Sequence, residues 1–297
     1  MLCEQFAPYF KYQSVSINHH IWNVHIFLAY FQHDYQSVND ICQQAIQFMQ
    51  ERKIDRSFIF RYKLIPAQLI LGQYDQARQN IKLAIAHIRK GEYSWSVFTY
   101  YRLLIELHDG QYQQAYHLYL AANSVHQVSR ALKEQWKIVK GYMAFLIRNG
   151  RITLEGGGLP HYRKLIESVP LFAQDKQGNN INIIILQLLL NIGHNNDTLI
   201  DRAEAIKRYI DRHLRSRELI RARTFIEMML KIPRYRFHYQ AVMRHTASDL
   251  KRLRNRPLRL TQNQDIEIIP YVELWNIVLH ILSKHSDRRL GRKRKLS

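Results

Sequence analysis

The sequence predicts an all-α chain: a superhelical solenoid of antiparallel helix hairpins, with about a dozen helices stacked side by side. Three observations predict it. Gly72-x-Tyr74-x-x-Ala77-x-x-x-Ile81-x-x-Ala84 recurs as Gly110-x-Tyr112-x-x-Ala115-x-x-x-Tyr119-x-x-Ala122, and in degenerate form as His33-x-Tyr35-x-x-Val38-x-x-x-Cys42-x-x-Ala45. The copies are offset by 39 and then 38 residues, within the period range of helix-turn-helix arrays. Apolar residues recur at helical spacing in both halves, and an apolar content of 46% suits a folded chain.

The repeat has a mechanical reading. Gly72 and Gly110 each follow an apolar helical run, and a glycine there takes the left-handed conformation that ends a helix. The tyrosine two positions later opens the next helix. The alanine after it is small enough for two helices to approach closely, and the residues four and seven further on share its face. One hairpin leaves an apolar face bare, so neighbours must stack.

Taken in order, Trp22, Ile26 and Tyr30 form a stripe leading into a helix over 35–48. A helix over 58–71 pairs with one over 74–88, and Pro66 is expected to kink or split the former. A helix over 95–107 pairs with one over 112–122. Trp136, Val139, Met143 and Leu146 form a further stripe closed by Asn149 and Gly150.

Gly156-Gly157-Gly158 and Pro160 read as a flexible connection; without a Lys-Ser/Thr pair after them or a strand before them, they do not make a phosphate loop. The second half continues with a nearly all-apolar helix over 181–191 and helices over 197–214, 219–232 and 237–253, the third ended by Pro233. Ile266 and Ile268 alternate with polar residues as in a short extended segment. Pro270 suits the first turn of a final helix. The domain reading is therefore 1–155 for the clear repeats, 156–283 for degenerate repeats and 284–297 for a basic, disordered tail.

Two cysteines, Cys3 and Cys42, are too few for a disulfide framework and fit a reducing, cytoplasmic compartment. No secretory signal is visible, and the most apolar run, 181–192, is too short to span a bilayer, so no membrane partner is expected.

The repeat residues resemble the tetratricopeptide family, best over about residues 20–124. Trp22 and Trp136 stand where that family often has an aromatic residue early in its first helix, and Gly-x-Tyr-x-x-Ala matches its second-helix signature. Leu103 and Ile65 stand where the family prefers a small residue. The segments Pro170–Gly178, 181–187 and 266–275 resemble a group of bacterial helical-repeat proteins that are longer at the N-terminus, which implies a shortened version here. The resemblance implies a protein-binding scaffold.

The net charge of +20 comes from 44 Lys and Arg against 24 Asp and Glu. Residues 1–150 hold 16 basic and 10 acidic side chains, and residues 151–297 hold 28 and 14. The folded stretch 202–259 is rich in arginine, whose planar fork suits phosphate and carboxylate. Arg208, Arg212, Arg215, Arg221 and Arg223 are the candidate polyanion-binding residues, with Tyr209, Tyr235, Phe237 and Tyr239 interleaved among the basic residues. Against that stands a solvated face: Glu204–Arg208 and Asp211–Arg215 have the four-residue spacing of surface ion pairs. Arg288-Arg289 and Arg292-Lys293-Arg294-Lys295 form a basic patch in the tail.

Catalytic chemistry finds no support. Fifteen histidines include no His-Glu-x-x-His, so no metal or cofactor site is expected. Arg208 and His213 have the spacing seen in some helical ribonucleases, but His213 lies beside apolar Leu214 and reads better as a packed side chain. The expected function is non-enzymatic binding of a protein or peptide, with nucleic acid as the alternative and ribonuclease activity as a remote one. The partner-binding candidates are Tyr62, Tyr100, Tyr101 and Arg102, on the first helices of successive pairs.

Overall fold

Each repeat is set by how its helices stop. Gly72 and Gly110 lie at φ 72° and 73°, and His33, in the degenerate copy, lies at φ 57°. All three close the preceding helix in the same way. The Gly72 N–H donates to the Leu69 carbonyl and the Gln73 N–H to Gln68; Gly110 and Gln111 donate likewise to Leu107 and Glu106, and His33 and Asp34 to Tyr30 and Ala29. This paired closure satisfies carbonyls that the helix end would otherwise leave bare. Lys53, Gly150 and Arg236 repeat it.

The computed structural model describes residues 14–54, 57–86, 88–123, 130–154, 179–192, 196–260 and 266–294. Among them are twelve α-helices, one 3-10 turn and no strand. The helices are α1 (Val15–Phe31), α2 (Tyr35–Glu51), α3 (Ser57–Ile70), α4 (Tyr74–Ile85), α5 (Tyr93–His108), α6 (Tyr112–Asn123), α7 (Arg130–Arg148), α8 (Asn179–Asn191), α9 (Asn196–His213), α10 (Ile220–Arg234), α11 (Tyr239–Arg254) and α12 (Tyr271–Arg294). The 3-10 turn is Arg217–Leu219.

The motif tyrosines Tyr35, Tyr74 and Tyr112 are the first residues of α2, α4 and α6. Behind them Val38, Cys42 and Ala45, then Ala77, Ile81 and Ala84, then Ala115, Tyr119 and Ala122 are all buried. The triple-glycine connection and the stretch Pro170–Gly178 lie outside the described residues.

The chain divides into two compact units. The first comprises Met1–Ile105 and Ala122–Val128, the second Glu106–Ala121 and Ser129–Ser297. In the first, α1 packs on α2, α2 on α3 and α3 on α4. Trp22 meets Phe48 and Phe60 edge-on, with centroids 5.0 and 5.7 Å apart. A buried polar chain crosses the same helices. Gln68 donates to Asn39 at 3.4 Å, Asn80 donates to Gln68 at 3.1 Å, and Arg61 donates to Asn80.

In the second unit α7 to α12 pack in chain order, and α10 also touches α8 and α12. The reason is its wide apolar face: Ala222, Phe225, Ile226, Met228, Met229 and Ile232 are all buried. Helix α8 is buried almost all round. It presses close to α7 at Gly141, where a Cβ would lie 2.2 Å from the Leu186 side chain.

Four local expectations are corrected. Helix α3 is not split at Pro66 but runs on through it, and α10 includes Pro233, ending one residue beyond it. Residues 266–269 form no strand and all four are buried, because Glu267 turns inward to an ionic partner. Helix α12 continues through residue 294, where an unstructured tail is expected. Its Lys and Arg residues are good helix formers, and cations suit a helix C-terminus.

Candidate functional site

Of the four partner-binding candidates, the structure brings three together. Tyr62 on α3 meets Tyr101 on α5 edge-on at 6.2 Å, and Tyr101 lies 6.2 Å from Tyr100. Tyr62 also meets Phe98 at 6.1 Å and keeps 41% of its surface exposed. Arg102 is half-buried on the same helix, α5.

Burial, then the neighbouring Tyr62, Tyr100 and Tyr93, raise the Tyr101 hydroxyl well above its ordinary value. Burial and then Tyr93 raise Tyr62. Burial also holds Tyr30 well above the ordinary range, with Tyr101 among its electrostatic neighbours, and Tyr30 donates to the Lys63 carbonyl. Tyr30, Tyr62 and Tyr101 are therefore neutral phenols at physiological pH, each an apolar ring with a hydroxyl that donates or accepts. Sequence reading missed Tyr30 and Tyr93; the seven-residue spacing of Tyr93 and Tyr100 was the signal for the latter.

The polyanion candidates separate into two groups. Arg221 is committed inside the second unit. Its Nε and Nη2 donate to Glu267 at 2.5 and 3.1 Å, and its Nη1 donates to the carbonyls of Leu253 at 2.7 Å and Arg256 at 2.5 Å. The two side chains are 12% and 6% exposed. Glu267 also accepts from the Tyr271 N–H at 2.9 Å, capping α12, and the Phe225 ring stacks on Tyr271 at 4.9 Å. This hub ties α10, the end of α11 and the start of α12 together and commits the Arg221 donors to partners within the fold.

Arg223 is paired as well, with Glu227 at 2.8 Å and Asp211 at 3.6 Å, and Arg215 donates to the Asp211 carbonyl. Arg208 and Arg212 stand exposed on α9. On α11 Arg244, Lys251 and Arg254 are exposed at spacings that place them on one side of the helix.

A groove of about 710 Å³ runs between α9 and α10. Ile200, Ala203, Ile210 and Leu230 give it an apolar lining, and Lys207, Glu204, Lys231 and Arg234 are among the charged side chains around it. Several rim charges are neutralised locally: Arg223 as above, and Lys231 by Asp249 at 2.5 Å. Sequence reading did not single out this groove.

Arg208 and His213 both lie on the continuous helix α9, where a five-residue step turns the second side chain about 140° from the first. His213 is exposed rather than packed and rests against Tyr209 with centroids 4.8 Å apart, while Leu214 is the buried neighbour.

Among the described residues no cluster of His, Cys, Asp and Glu could hold a metal ion, and no helix is long and apolar enough to cross a membrane. No family model, curated protein or solved structure matches this chain.

Proposed function

We propose that the protein is a non-enzymatic helical-repeat scaffold, a solenoid of tetratricopeptide-like hairpins that binds a protein or peptide partner. The observation that carries this reading is the partly exposed tyrosine cluster of Tyr62, Tyr100 and Tyr101 across the first helices of two successive repeats. Tyrosine is enriched at the centres of protein interfaces because it buries a large ring at low entropic cost and keeps a hydrogen-bonding tip. The groove between α9 and α10, apolar within and charge-balanced at its rim, is a second surface of the same chemistry.

The test is affinity capture with nuclease-treated lysate, comparing the native chain with Tyr62→Ala/Tyr100→Ala. A protein retained by the native chain and lost from the folded variant supports the reading. Equal retention by both removes the tyrosine site.

A second reading, binding of nucleic acid, is favoured by one observation: the exposed row of Arg244, Lys251 and Arg254, with Arg208 and Arg212 also unburied. Phosphate contacts of that kind weaken steeply with salt. Fluorescence anisotropy with a labelled single-stranded RNA, measured across a salt series, tests it. Arg244→Glu/Lys251→Glu should abolish a salt-sensitive signal; Arg221 and Arg223 are unsuitable for such a test because their charges are already paired.

A further inference from the structure

Helix α1 is apolar on two opposite sides. One side, with Asn18, Trp22, Ile26 and Ala29, is buried. The other carries Ile17, Val24, Phe27, Leu28 and Phe31, which fall within a stripe about 100° wide. All five are exposed, Phe27 at 69% and Phe31 at 78%. A helix at a water-facing surface ordinarily carries charge on its outer side, yet Val15–Phe31 contains no Asp, Glu, Lys or Arg.

We propose that this stripe is the interface through which two copies of the chain pair, α1 against α1, about a two-fold axis near Val24. Charge argues for this occupant. Each copy carries a net +20, so like charges oppose most mutual approaches, whereas the α1 stripe brings two uncharged surfaces together. Size argues for it too. The five side chains expose on the order of 500 Å² together, at the upper end of what monomers leave bare. A symmetric pair would bury about 1,000 Å² in total, at the threshold of a specific interface.

The register is self-complementary. In an antiparallel pair centred on Val24, Phe31 lies opposite Ile17 of the second copy, and Phe27 lies opposite Ile21 of that copy. A large ring therefore meets a smaller side chain at each step, and a two-fold axis supplies every contact twice.

Sedimentation equilibrium of the full chain at micromolar concentration tests the proposal. The native protein should sediment at twice the chain mass of 35.6 kDa. Phe27→Glu/Phe31→Glu should sediment as a monomer with unchanged helical circular dichroism, its dissociation constant raised roughly a hundredfold or more. Val24→Cys, in a Cys3→Ser background, should form a covalent dimer on oxidation, since the remaining Cys42 is buried. A native chain that stays monomeric up to 100-fold higher concentration overturns the proposal. So does a dimer that survives the double glutamate substitution, or a Val24→Cys protein that fails to cross-link while dimeric.

Discussion

Arg221 grips both carboxylate oxygens of Glu267 across 46 residues of sequence, and the same carboxylate caps α12 through the Tyr271 N–H. Both side chains are nearly out of water, so removing either strands the other charge. Arg221→Ala and Glu267→Ala should each destabilise the second unit by about 3–5 kcal/mol. Urea denaturation followed by circular dichroism measures this. Arg221→Lys should recover only part of the loss, because an ammonium cannot span two carboxylate oxygens and two carbonyls at once.

The left-handed closures carry a smaller and cleaner prediction. A Cβ at Gly72 or Gly110 meets nothing within 4 Å, so substitution costs only backbone strain. Gly72→Ala and Gly110→Ala should each lower stability by about 1 kcal/mol. His33 occupies the same conformation with a side chain, so His33→Gly should be neutral or stabilising by up to about 1 kcal/mol, less whatever its 3.2 Å contact with the Tyr35 hydroxyl contributes. Thermal denaturation of the three variants checks the opposite signs.

Gly141 is the contrasting glycine. It sits in a helix, where alanine would ordinarily be preferred. The Leu186 side chain occupies the space a Cβ needs, and Leu186 is fully buried. Gly141→Ala should therefore destabilise by about 1–3 kcal/mol, and Gly141→Ala/Leu186→Ala should cost less than the two single changes added together. A double-mutant cycle in urea decides it.

His108 gives the second unit a pH dependence. Its Nε2 donates to the Glu267 carbonyl at 2.6 Å. Burial, assisted by the Arg221 charge, pushes its pKa down from 6.5 to about 4. Between those values the unfolded chain binds a proton that the folded chain refuses, so folding is favoured less as pH falls. The contribution is whole above about pH 6.5 and is lost progressively toward pH 4, on the order of 3 kcal/mol. His108→Gln should flatten the difference in urea midpoint between pH 7.5 and pH 5; an unchanged difference would reject this assignment.

Cys42 lies in the core of the first repeat, and burial raises its thiol to about 12. It should resist iodoacetamide at pH 8 while the chain is folded and react once urea unfolds it. Peptide mapping by mass spectrometry resolves it from Cys3.

What was legible in the sequence was local. Helix closure depends on one residue in a left-handed conformation and a few hydrogen bonds around it, so the spacing of His33, Gly72 and Gly110 located three helix ends and the tyrosines that open the next helices. Tyr62 and Tyr101 were legible only as residues on the first helices of successive pairs, and their contact is supplied by the folded chain. The role of Arg221 was not legible, because its partner lies far along the chain and nothing near it in sequence marks it among the other arginines. The run 266–269 misled for the same reason. Alternation of apolar and polar residues implies an exposed glutamate, and only the folded chain supplies the cation that brings Glu267 inside.

The hydrogen-bonded chain through Asn39, Gln68, Asn80 and Arg61 has a consequence for how the first unit selects one alignment. Apolar stripes that recur every three or four residues tolerate sliding: a helix displaced by a turn still buries leucine and alanine. Amides do not tolerate it, since a displaced Gln68 would leave donors and acceptors stranded away from water. These few polar side chains thus discriminate among arrangements that greasy contact alone treats as equivalent, and they make the native alignment unique more than they make it strong.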